Sequence, residues 1–259
     1  MRHKISKIGI IGYGNVGRHL SQVFHKAKGL ELVVFNRSRV SDDQNTEEIN
    51  VTNQLEKLSD CGLIIIAVKD DAILPVLRSM KDVFPEEVIV CHCSGSTPTD
   101  VIAPYFKNYG VIYPLQTFSR EKSINYSEIP IFISGSNESV LQTIRRISRY
   151  ISPKIQEIND DQRIALHISA VFCCNYTNAM YAIGYKICAD HNLNFDHLTP
   201  LIEETTDKIK TIPPNQAQTG PAVRGDWNTV ERQETYLAKH DQRLTALYRQ
   251  LADYINQNS

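Results

Sequence analysis

The sequence lacks the features that mark membrane, nucleic-acid-binding and secreted proteins. Its 259 residues carry a formal net charge of −1, so no overall field draws the chain to nucleic acid or to an anionic membrane. No apolar run approaches the roughly 20 residues of a membrane-spanning helix. The basic N-terminus leads straight into a strand and a glycine turn, which is not the pattern of a signal peptide. We therefore expect a cytoplasmic protein that acts on a small molecule.

The six cysteines also lack the spacing of a metal site or of a disulfide framework. None forms a C-x-x-C pair. Cys91 and Cys93 flank His92 at a predicted strand end, and Cys173 and Cys174 are adjacent in a predicted helix, where they point apart. We predict no metal, and reduced cysteines that pack as small apolar side chains.

What the sequence does have is a glycine-rich turn near its beginning. Residues 7–17 read as a buried strand that runs into G-x-G-x-x-G and then into an amphipathic helix. Gly12 permits the tight turn, Gly14 removes a side chain where a pyrophosphate approaches, and Gly17 lets the helix lie close to the strand. The helix then points free N–H groups at the phosphates. The predicted cofactor contacts in this turn are Gly12, Tyr13, Gly14, Asn15, Val16 and Gly17.

Beyond this turn, strand and helix patterns alternate, which predicts an α/β fold with a doubly wound, parallel Rossmann sheet. The continuous apolar run at residues 62–68 is typical of a central parallel strand that is covered on both faces. Further strands are predicted at residues 31–36, 49–51, 88–92, 111–113, 129–134 and 154–157, with helices at 70–80 and 138–151.

Strand patterns end near Asn159, and the rest of the chain is predicted to be all helical. One helix of roughly 30 residues, longer than most globular helices, covers residues 160–190. A second covers 195–212, and a third covers 229–256 with a break near Lys239. We therefore predict a dinucleotide-binding domain at residues 1–157 and a helical substrate and dimerisation domain at residues 158–259.

The residues after the second strand favour NADP(H) over NAD(H). An Asp or Glu at this strand end would hold the ribose 2′-hydroxyl, but the sequence has Asn36, Arg37 and Ser38. Arg37 can stack on adenine and pair with a 2′-phosphate, to which Ser38 can donate a hydrogen bond. The alternative is that the arginine is a solvated loop charge.

Two segments follow the central strands, where the nicotinamide lies in a Rossmann fold. Val68 is expected to pack on the dinucleotide. His92 and Ser94 follow the next strand, His92 as a candidate catalytic residue and Ser94 as a candidate contact to the cofactor carboxamide. Alternatively, Ser94 caps the turn before Thr97 and Pro98.

The long helix of the second domain carries His167, Asn175 and Asn178 within an apolar segment. At about 100° per residue, His167 and Asn178 share a face, with Asn175 at its margin. His167 is a candidate general acid for reduction of a carbonyl or imine, since imidazole titrates near neutrality. The candidate catalytic Asn175 and the candidate substrate contact Asn178 would orient the substrate in a cleft between the domains. The alternative is that His167 is a core histidine with structural partners.

A loop shaped by glycine and proline, residues 218–226, is the last candidate substrate contact. Arg224 can clamp a carboxylate or a phosphate. In the alternative interpretation, Asp226 caps the helix that follows and Arg224 pairs with it. The neighbouring Trp227 is expected to pack rather than to bind a ligand.

Six segments occur in the order found in a known family. They are residues 12–17, 36–38, 92–95, 113–118, 167–178 and 219–226. Together they resemble the bacterial Rossmann-like proteins with an uncharacterised helical C-terminal domain, which are labelled NADP oxidoreductases and look related to deazaflavin-dependent NADP reductases and pyrroline-5-carboxylate reductases. The resemblance covers nearly the whole chain. It implies a dinucleotide-binding domain and a helical domain that mediates dimerisation, and it supplies no substrate.

One departure bears on the chemistry. The β-hydroxyacid dehydrogenases share this two-domain plan and are expected to carry a lysine, with an asparagine four residues later, on the long helix. Here Val171 stands four residues after His167, and the helix has no lysine before Lys186. A histidine- or water-assisted reduction therefore fits better than lysine-assisted chemistry.

The sequence thus predicts an NADP-dependent oxidoreductase that transfers hydride between NADP(H) and a small carbonyl, imine or hydroxy substrate. A homodimer through the helical domain is expected, because long apolar helices bury a face and a second copy is the commonest partner. Two alternatives remain open. One is a non-catalytic NADP-binding sensor or partner-binding module, and the other is a reductase that serves a second bound cofactor such as a flavin analogue.

Overall fold

The computed structural model of the protein describes residues 5–38, 49–119 and 124–258. The chain divides into two compact units, Met1–Asn178 and Ala179–Ser259. The first unit holds the sheet, and the second is helical in its described part. Among the described helices, none combines the length and the apolar character needed to cross a membrane.

The first unit is built on one eight-stranded sheet. Its strands are β1 Lys7–Ile11, β2 Glu31–Phe35, β3 Val51–Thr52, β4 Leu63–Ile66, β5 Ile89–His92, β6 Asn108–Pro114, β7 Ile131–Gly135 and β8 Ile155–Glu157. They lie in the order β3-β2-β1-β4-β5-β6-β7-β8. Each described strand is parallel to its neighbours, except that β6 and β7 are antiparallel. The sequence pattern did not indicate this antiparallel pair.

Helices cover both faces of the sheet, which explains why its central strands are apolar without alternation. Every residue of β4 is buried. On one face, α1 (Asn15–His25) packs through Phe24 beside α3 (Glu138–Ser148). On the other face, α2 (Asp70–Met80) packs through Leu77. The predicted fold class, a Rossmann sheet followed by an all-helical region, is confirmed.

A continuous helical segment begins at Asp160, as predicted. It consists of α4 Asp160–Ala170, a π-helical stretch Val171–Tyr176 and α5 Thr177–Asp190. Asn159 caps its start in a capping box with Gln162. The π-helical stretch closes its turns with one residue more than an α-helix does, and no sequence pattern indicated it. A constant angle per residue therefore does not place the side chains before and after this stretch on one face.

The second unit contains most of α5 and four further described α-helices. These are α6 Thr199–Lys208, α7 Pro214–Ala217, α8 Trp227–His240 and α9 Gln242–Asn258. Helices α8 and α9 pack around Val230 and Ala252, and Trp227 lies against this cluster. The break between them falls at Asp241, next to the predicted position.

The cysteines are free thiols, but not all of them pack as predicted. Cys61 and Cys91 are buried in the sheet core, and burial raises the pKa of Cys61 to about 12. Cys173 and Cys174 are exposed. The prediction of buried cysteines is wrong for this pair, because the helix around them leaves its apolar side chains exposed, Phe172 to 62%.

Candidate functional site

The turn after β1 has the shape that its glycines require. Gly12 adopts a φ of +102°, and a β-carbon there would lie 2.5 Å from the carbonyl oxygen of Ala67. At Gly17 a β-carbon would lie 2.1 Å from the carbonyl oxygen of Gly12. Tyr13 and Val16 pack their side chains on the core. A side chain at Gly12 would collide with the chain after β4, and one at Gly17 would push α1 away from the turn, so both positions need glycine.

Gly14 differs from these two glycines, because a β-carbon there would meet no atom of the described residues within 4 Å. Gly14 is the N-cap of α1, and no side chain of the described residues caps the first N–H groups of this helix. The positive end of α1 therefore faces open space. Free N–H groups, a bare Cα and a positive dipole are what a pyrophosphate needs, so this turn fits a dinucleotide.

Beside the turn lies a cavity of about 530 Å³. It is lined by Ile11, Gly12, Phe35, Asn36, Arg37, Ser38, Val68, Lys69, Ala72, Pro75, Val76 and Ser79. The apolar members form a surface on which an adenine ring can pack, and Arg37, Ser38 and Lys69 add polar groups. Asn36 shapes this loop, since its Nδ2 donates to the carbonyl oxygen of Ser38 at 2.8 Å. The structure thus brings the predicted contacts after β2 together with Val68.

Two polar side chains of α1 hold the segment after β6. Asn15 Nδ2 donates to the carbonyl oxygen of Phe118 at 3.0 Å. The ring nitrogens of the buried His19 pair with the hydroxyl of Tyr126 at 2.8 Å and with the carbonyl oxygen of Ser119 at 2.9 Å. The Asn15 side chain therefore supports this segment, and a contact of Asn15 to a dinucleotide would come from its backbone N–H.

His92 and Ser94 build the turn after β5. His92 is fully buried; its Nδ1 accepts the Ser94 N–H at 3.1 Å, and its Nε2 donates to the carbonyl oxygen of Pro98 at 3.3 Å. Burial, together with the charge of Arg163, lowers the pKa of His92 to about 4. Ser94 Oγ accepts the N–H of Thr97 at 2.8 Å, which is the capping alternative for this serine. Both ring nitrogens of His92 are thus used by the turn.

His167 lies at the same edge of the sheet and is half-buried. Its Nδ1 is 2.9 Å from the hydroxyl of Tyr113 at the end of β6, and the two rings meet edge to face. The ring also lies against Gly95, where a β-carbon would come within 2.5 Å of Nδ1. His167 therefore combines a fixed position with partial exposure, which the fully buried His92 lacks.

An ion pair between a buried arginine and a partly exposed aspartate fixes α4 to the turn after β5. Arg163 is 1% exposed, and it donates to Asp160 Oδ1 at 2.6 Å and to the carbonyl oxygen of Thr97. Asp160 also accepts the backbone N–H of Thr99 at 2.7 Å and its hydroxyl. Burial opposes ionisation of Asp160, but the hydrogen bonds from Thr99 and Arg163 outweigh it and lower the pKa of the carboxyl group. The first turn of α4 is therefore fixed to the segment after β5, and His167 follows one turn later on the same helix.

The remaining predicted substrate contacts lie on exposed surface. Asn175 and Asn178 are exposed on the segment that follows α4. Arg224 is exposed in the second unit. Asp226 accepts the N–H of Thr229 at 3.2 Å and caps α8, as the alternative interpretation of that loop expects.

Several residues of this site were missed by sequence reasoning. Lys69 and Gly95 stand next to predicted residues but belong to no motif of their own. Tyr113 lies in a segment that the family resemblance includes, yet nothing in the sequence connects it to His167. The spacing of Asp160 and Arg163 could have indicated an ion pair on one helix face, although it does not show that the arginine is buried.

Family models match both parts of the chain. A Rossmann-like domain matches residues 1–117, and a domain of unknown function, DUF2520, matches residues 129–255. Among solved structures, a putative NADP oxidoreductase from Bacteroides fragilis is 33% identical with a TM-score of 0.87, and the alignment covers 98% of each chain. No curated protein matches the sequence.

More distant structures share the fold. An imine reductase from Streptomyces aurantiacus is 18% identical with a TM-score of 0.70, covering 97% of this chain and 93% of that one. A pyrroline carboxylate reductase from Plasmodium falciparum, solved with NADP bound, is 13% identical with a TM-score of 0.60, covering 98% and 100%. At these identities the likeness shows the fold alone.

The match to the Bacteroides fragilis protein spans nearly the whole chain, and the two family models follow each other in the order that the sequence resemblance implies. The glycine turn and the helical segment described above fall within the two matched regions. The chain therefore belongs to the family of Rossmann-like proteins that carry a C-terminal DUF2520 domain.

Proposed function

We propose that the protein is an oxidoreductase that transfers hydride between NADP(H) and a small carbonyl, imine or hydroxy compound. The proposal is carried by one observation: an open glycine turn at an uncapped helix and a fixed, half-buried histidine lie at the same edge of one sheet. Similar structures are named as reductases, which supports this class of reaction.

The residues around the cavity fit NADP(H) from its pyrophosphate to its adenine end. The glycine turn would hold the pyrophosphate through backbone N–H groups, and the aliphatic wall would pack on adenine. Arg37, Ser38 and Lys69 line the same cavity and would hold the 2′-phosphate. Residues 36–38 contain no carboxylate of the kind that holds the free ribose hydroxyls of NAD.

His167 would act as the proton donor in the reduction. When bound, the reduced nicotinamide supplies a hydride. The carbonyl oxygen or imine nitrogen of the substrate gains a proton in the same reaction, and we assign that proton to Nε2 of His167, because Nδ1 is held by Tyr113. An imidazole nitrogen within reach of the substrate can serve as a general acid.

The other predicted site residues keep narrower roles. Asn175 and Asn178 would orient the substrate and Arg224 would clamp an anionic group, since their exposure leaves them accessible to a ligand. Ser94 retains a hydroxyl proton that it can donate to the carboxamide. His92 would support the turn rather than serve as a second acid, because both of its nitrogens bind backbone.

A fluorescence titration with NADPH and NADH tests the cofactor. We expect the wild type to bind NADPH more tightly than NADH. Arg37→Ala should lower the affinity for NADPH by about tenfold, which is about 1.4 kcal/mol, and leave the affinity for NADH unchanged. Arg145→Ala, on the outer helix α3, is the matched control and should change neither. If Arg37→Ala lowered the affinity for NADPH and for NADH equally, Arg37 would not be the residue that holds the 2′-phosphate.

Replacement of His167 by asparagine tests the chemistry. Wild-type protein would be screened for NADPH oxidation with small ketones, aldehydes and imines, and His167→Asn assayed with any active substrate. We expect turnover to fall by about 100-fold, as for loss of a general acid, with NADPH affinity retained. If no acceptor is reduced and NADPH instead changes the oligomeric state, the sensor alternative would replace this proposal. Reduction of free flavin would favour the second-cofactor alternative.

We also propose a cytoplasmic homodimer assembled through the helical residues. Phe172 and Tyr176 expose 62% and 53% of their surface, and apolar surface of this extent on a helix is usually an interaction site. Light scattering should give twice the chain mass, and Phe172→Glu should give the monomer. A wild-type monomer at micromolar concentration would contradict this part of the proposal.

A further inference from the structure

Tyr113 makes a direct contact with the histidine to which proton transfer is assigned. Its hydroxyl lies 2.9 Å from His167 Nδ1, and the ring centroids are 5.9 Å apart at 71°. Tyr113 stands near the end of β6, is only 7% exposed and packs against Phe132 on the neighbouring strand. A tyrosine built into a sheet in this way has little freedom to move, so its hydroxyl is a fixed point for the imidazole.

Gly95 confines the same ring from another direction. A β-carbon at Gly95 would lie 2.5 Å from Nδ1 and 2.6 Å from Cγ of His167, well inside van der Waals contact. Gly95 has no positive φ that would require glycine. The absence of a side chain at this position therefore serves the neighbouring ring rather than the local backbone.

We propose that Tyr113 is a positioning residue that, with Gly95, holds His167 with Nδ1 inward and leaves Nε2 as the nitrogen that carries the transferable proton. This inference rests on the proposed function for its catalytic meaning. The orientation of the ring and its tautomer are properties of the protein itself, and they can be measured without a substrate.

The chemistry of a hydroxyl suits this task, because it can donate or accept. Against neutral His167, the Tyr113 hydroxyl donates to Nδ1, which places the ring proton on Nε2. Against the imidazolium form, Nδ1–H donates to the tyrosine oxygen and Nε2–H remains free to protonate the substrate. When Nε2 has given up its proton, the ring keeps Nδ1–H and regains the other proton from solvent. Burial raises the pKa of Tyr113, so the phenol stays protonated throughout.

The first test is ¹⁵N NMR of the histidine rings in the full chain without cofactor, with His167→Asn used to assign the His167 signals. At a pH where the ring is neutral, we expect the Nε2–H tautomer in wild-type protein and a mixture of tautomers in Tyr113→Phe. Tyr109→Phe, on the same strand, is the matched control and should retain the wild-type tautomer. An unchanged Nε2–H tautomer in Tyr113→Phe would overturn the proposal.

The second test is kinetic and uses any substrate found for the wild type. Tyr113→Phe should lower kcat by about tenfold, the effect of one hydrogen bond, with little change in KM or in NADPH affinity. Gly95→Ala should displace the ring and lower kcat similarly, and the double variant should lose little more than the worse single one. Additive losses, or an unchanged kcat, would overturn the positioning role. If no substrate is found, the proposed function fails, while the NMR result still decides the role of Tyr113.

Discussion

The carboxyl edge of the sheet is built in two different ways. After β1, β2 and β4 the described residues leave space: a β-carbon at Gly14 would meet none of their atoms within 4 Å, and a cavity of about 530 Å³ lies alongside. After β5 and β6 the space is filled by polar side chains that bind one another and the backbone, such as His92, Arg163 and Tyr113. We call the edge after β1, β2 and β4 the open half, because it holds the cavity, and the edge after β5 and β6 the packed half, because its side chains are held by hydrogen bonds.

The two halves therefore depend on different interactions. Binding in the open half depends on the absence of a side chain at Gly14, so adding atoms at this position should harm function and spare stability. The packed half depends on buried hydrogen bonds and charges, whose loss leaves unsatisfied groups. Removing atoms there should harm stability first.

The largest expected effect on stability follows from removal of the buried Arg163 guanidinium in the packed half. Arg163→Met should lower the free energy of unfolding by about 4 kcal/mol, because Asp160, Thr97 and Thr99 lose the hydrogen bonds of a guanidinium that is 1% exposed. Urea unfolding measures this loss. Arg145→Met breaks the exposed pair with Glu157 and should cost less than about 1 kcal/mol. Equal losses in the two variants would remove the distinction between buried and exposed pairs.

A smaller effect is expected in the pH dependence of stability, and it comes from His92 in the packed half. Unfolded His92 binds a proton near pH 6.5, whereas folded His92 binds one only near pH 4. Between these values the unfolded state holds more protons, so stability falls as the pH is lowered, by up to about 3 kcal/mol.

The variant His92→Asn isolates this contribution, since its side-chain oxygen can still accept the Ser94 N–H. The difference in unfolding free energy between wild type and variant should shrink from pH 7 to pH 4. Asp160 also loses its stabilising charge in acid, but it does so in both proteins. A difference that is constant with pH would contradict the burial of a neutral His92.

The smallest effect on stability is expected in the open half. Gly14→Ala adds a methyl group that meets no atom of the described residues within 4 Å, so the unfolding free energy should change by less than about 1 kcal/mol. In the proposed complex the methyl group would occupy the approach of the pyrophosphate, and NADPH affinity should fall by about 100-fold in the titration. A variant that binds NADPH normally would show that the phosphates lie elsewhere.

The open half could be predicted well from the sequence, because its signals are local. The glycine spacing, the apolar strand before it and the basic loop at Arg37 are read directly along the chain, and the structure places them together. The strand and helix order was likewise predictable, since each element has its own hydrophobic period.

The packed half could not be predicted to the same depth, because its contacts join distant residues. Tyr113 and His167 are 54 positions apart, and Thr99 and Asp160 are 61 apart. No periodicity links such pairs, and they meet only because β5, β6 and α4 converge. The π-helical stretch was missed for a related reason, since its residues have the same apolar pattern as an ordinary helix.

The reversed strand β7 has a consequence for the direction of α4. Strand β8 runs parallel to β7 and hence away from the carboxyl edge. The chain turns into α4 beside Thr99, whose hydroxyl lies 3.0 Å from Ser134, a residue level with the middle of β6. From Asp160 to His167 the helix rises about 10 Å, since seven residues each add 1.5 Å.

This length of helix brings the chain from Asp160, beside Thr99, to His167, beside Tyr113 at the carboxyl edge. Had β8 run in the direction of β6, it would have ended at this edge, and the next helix would have started there and led away. A single change of strand direction thus places the histidine at the carboxyl edge of the sheet, two helical turns after Asp160.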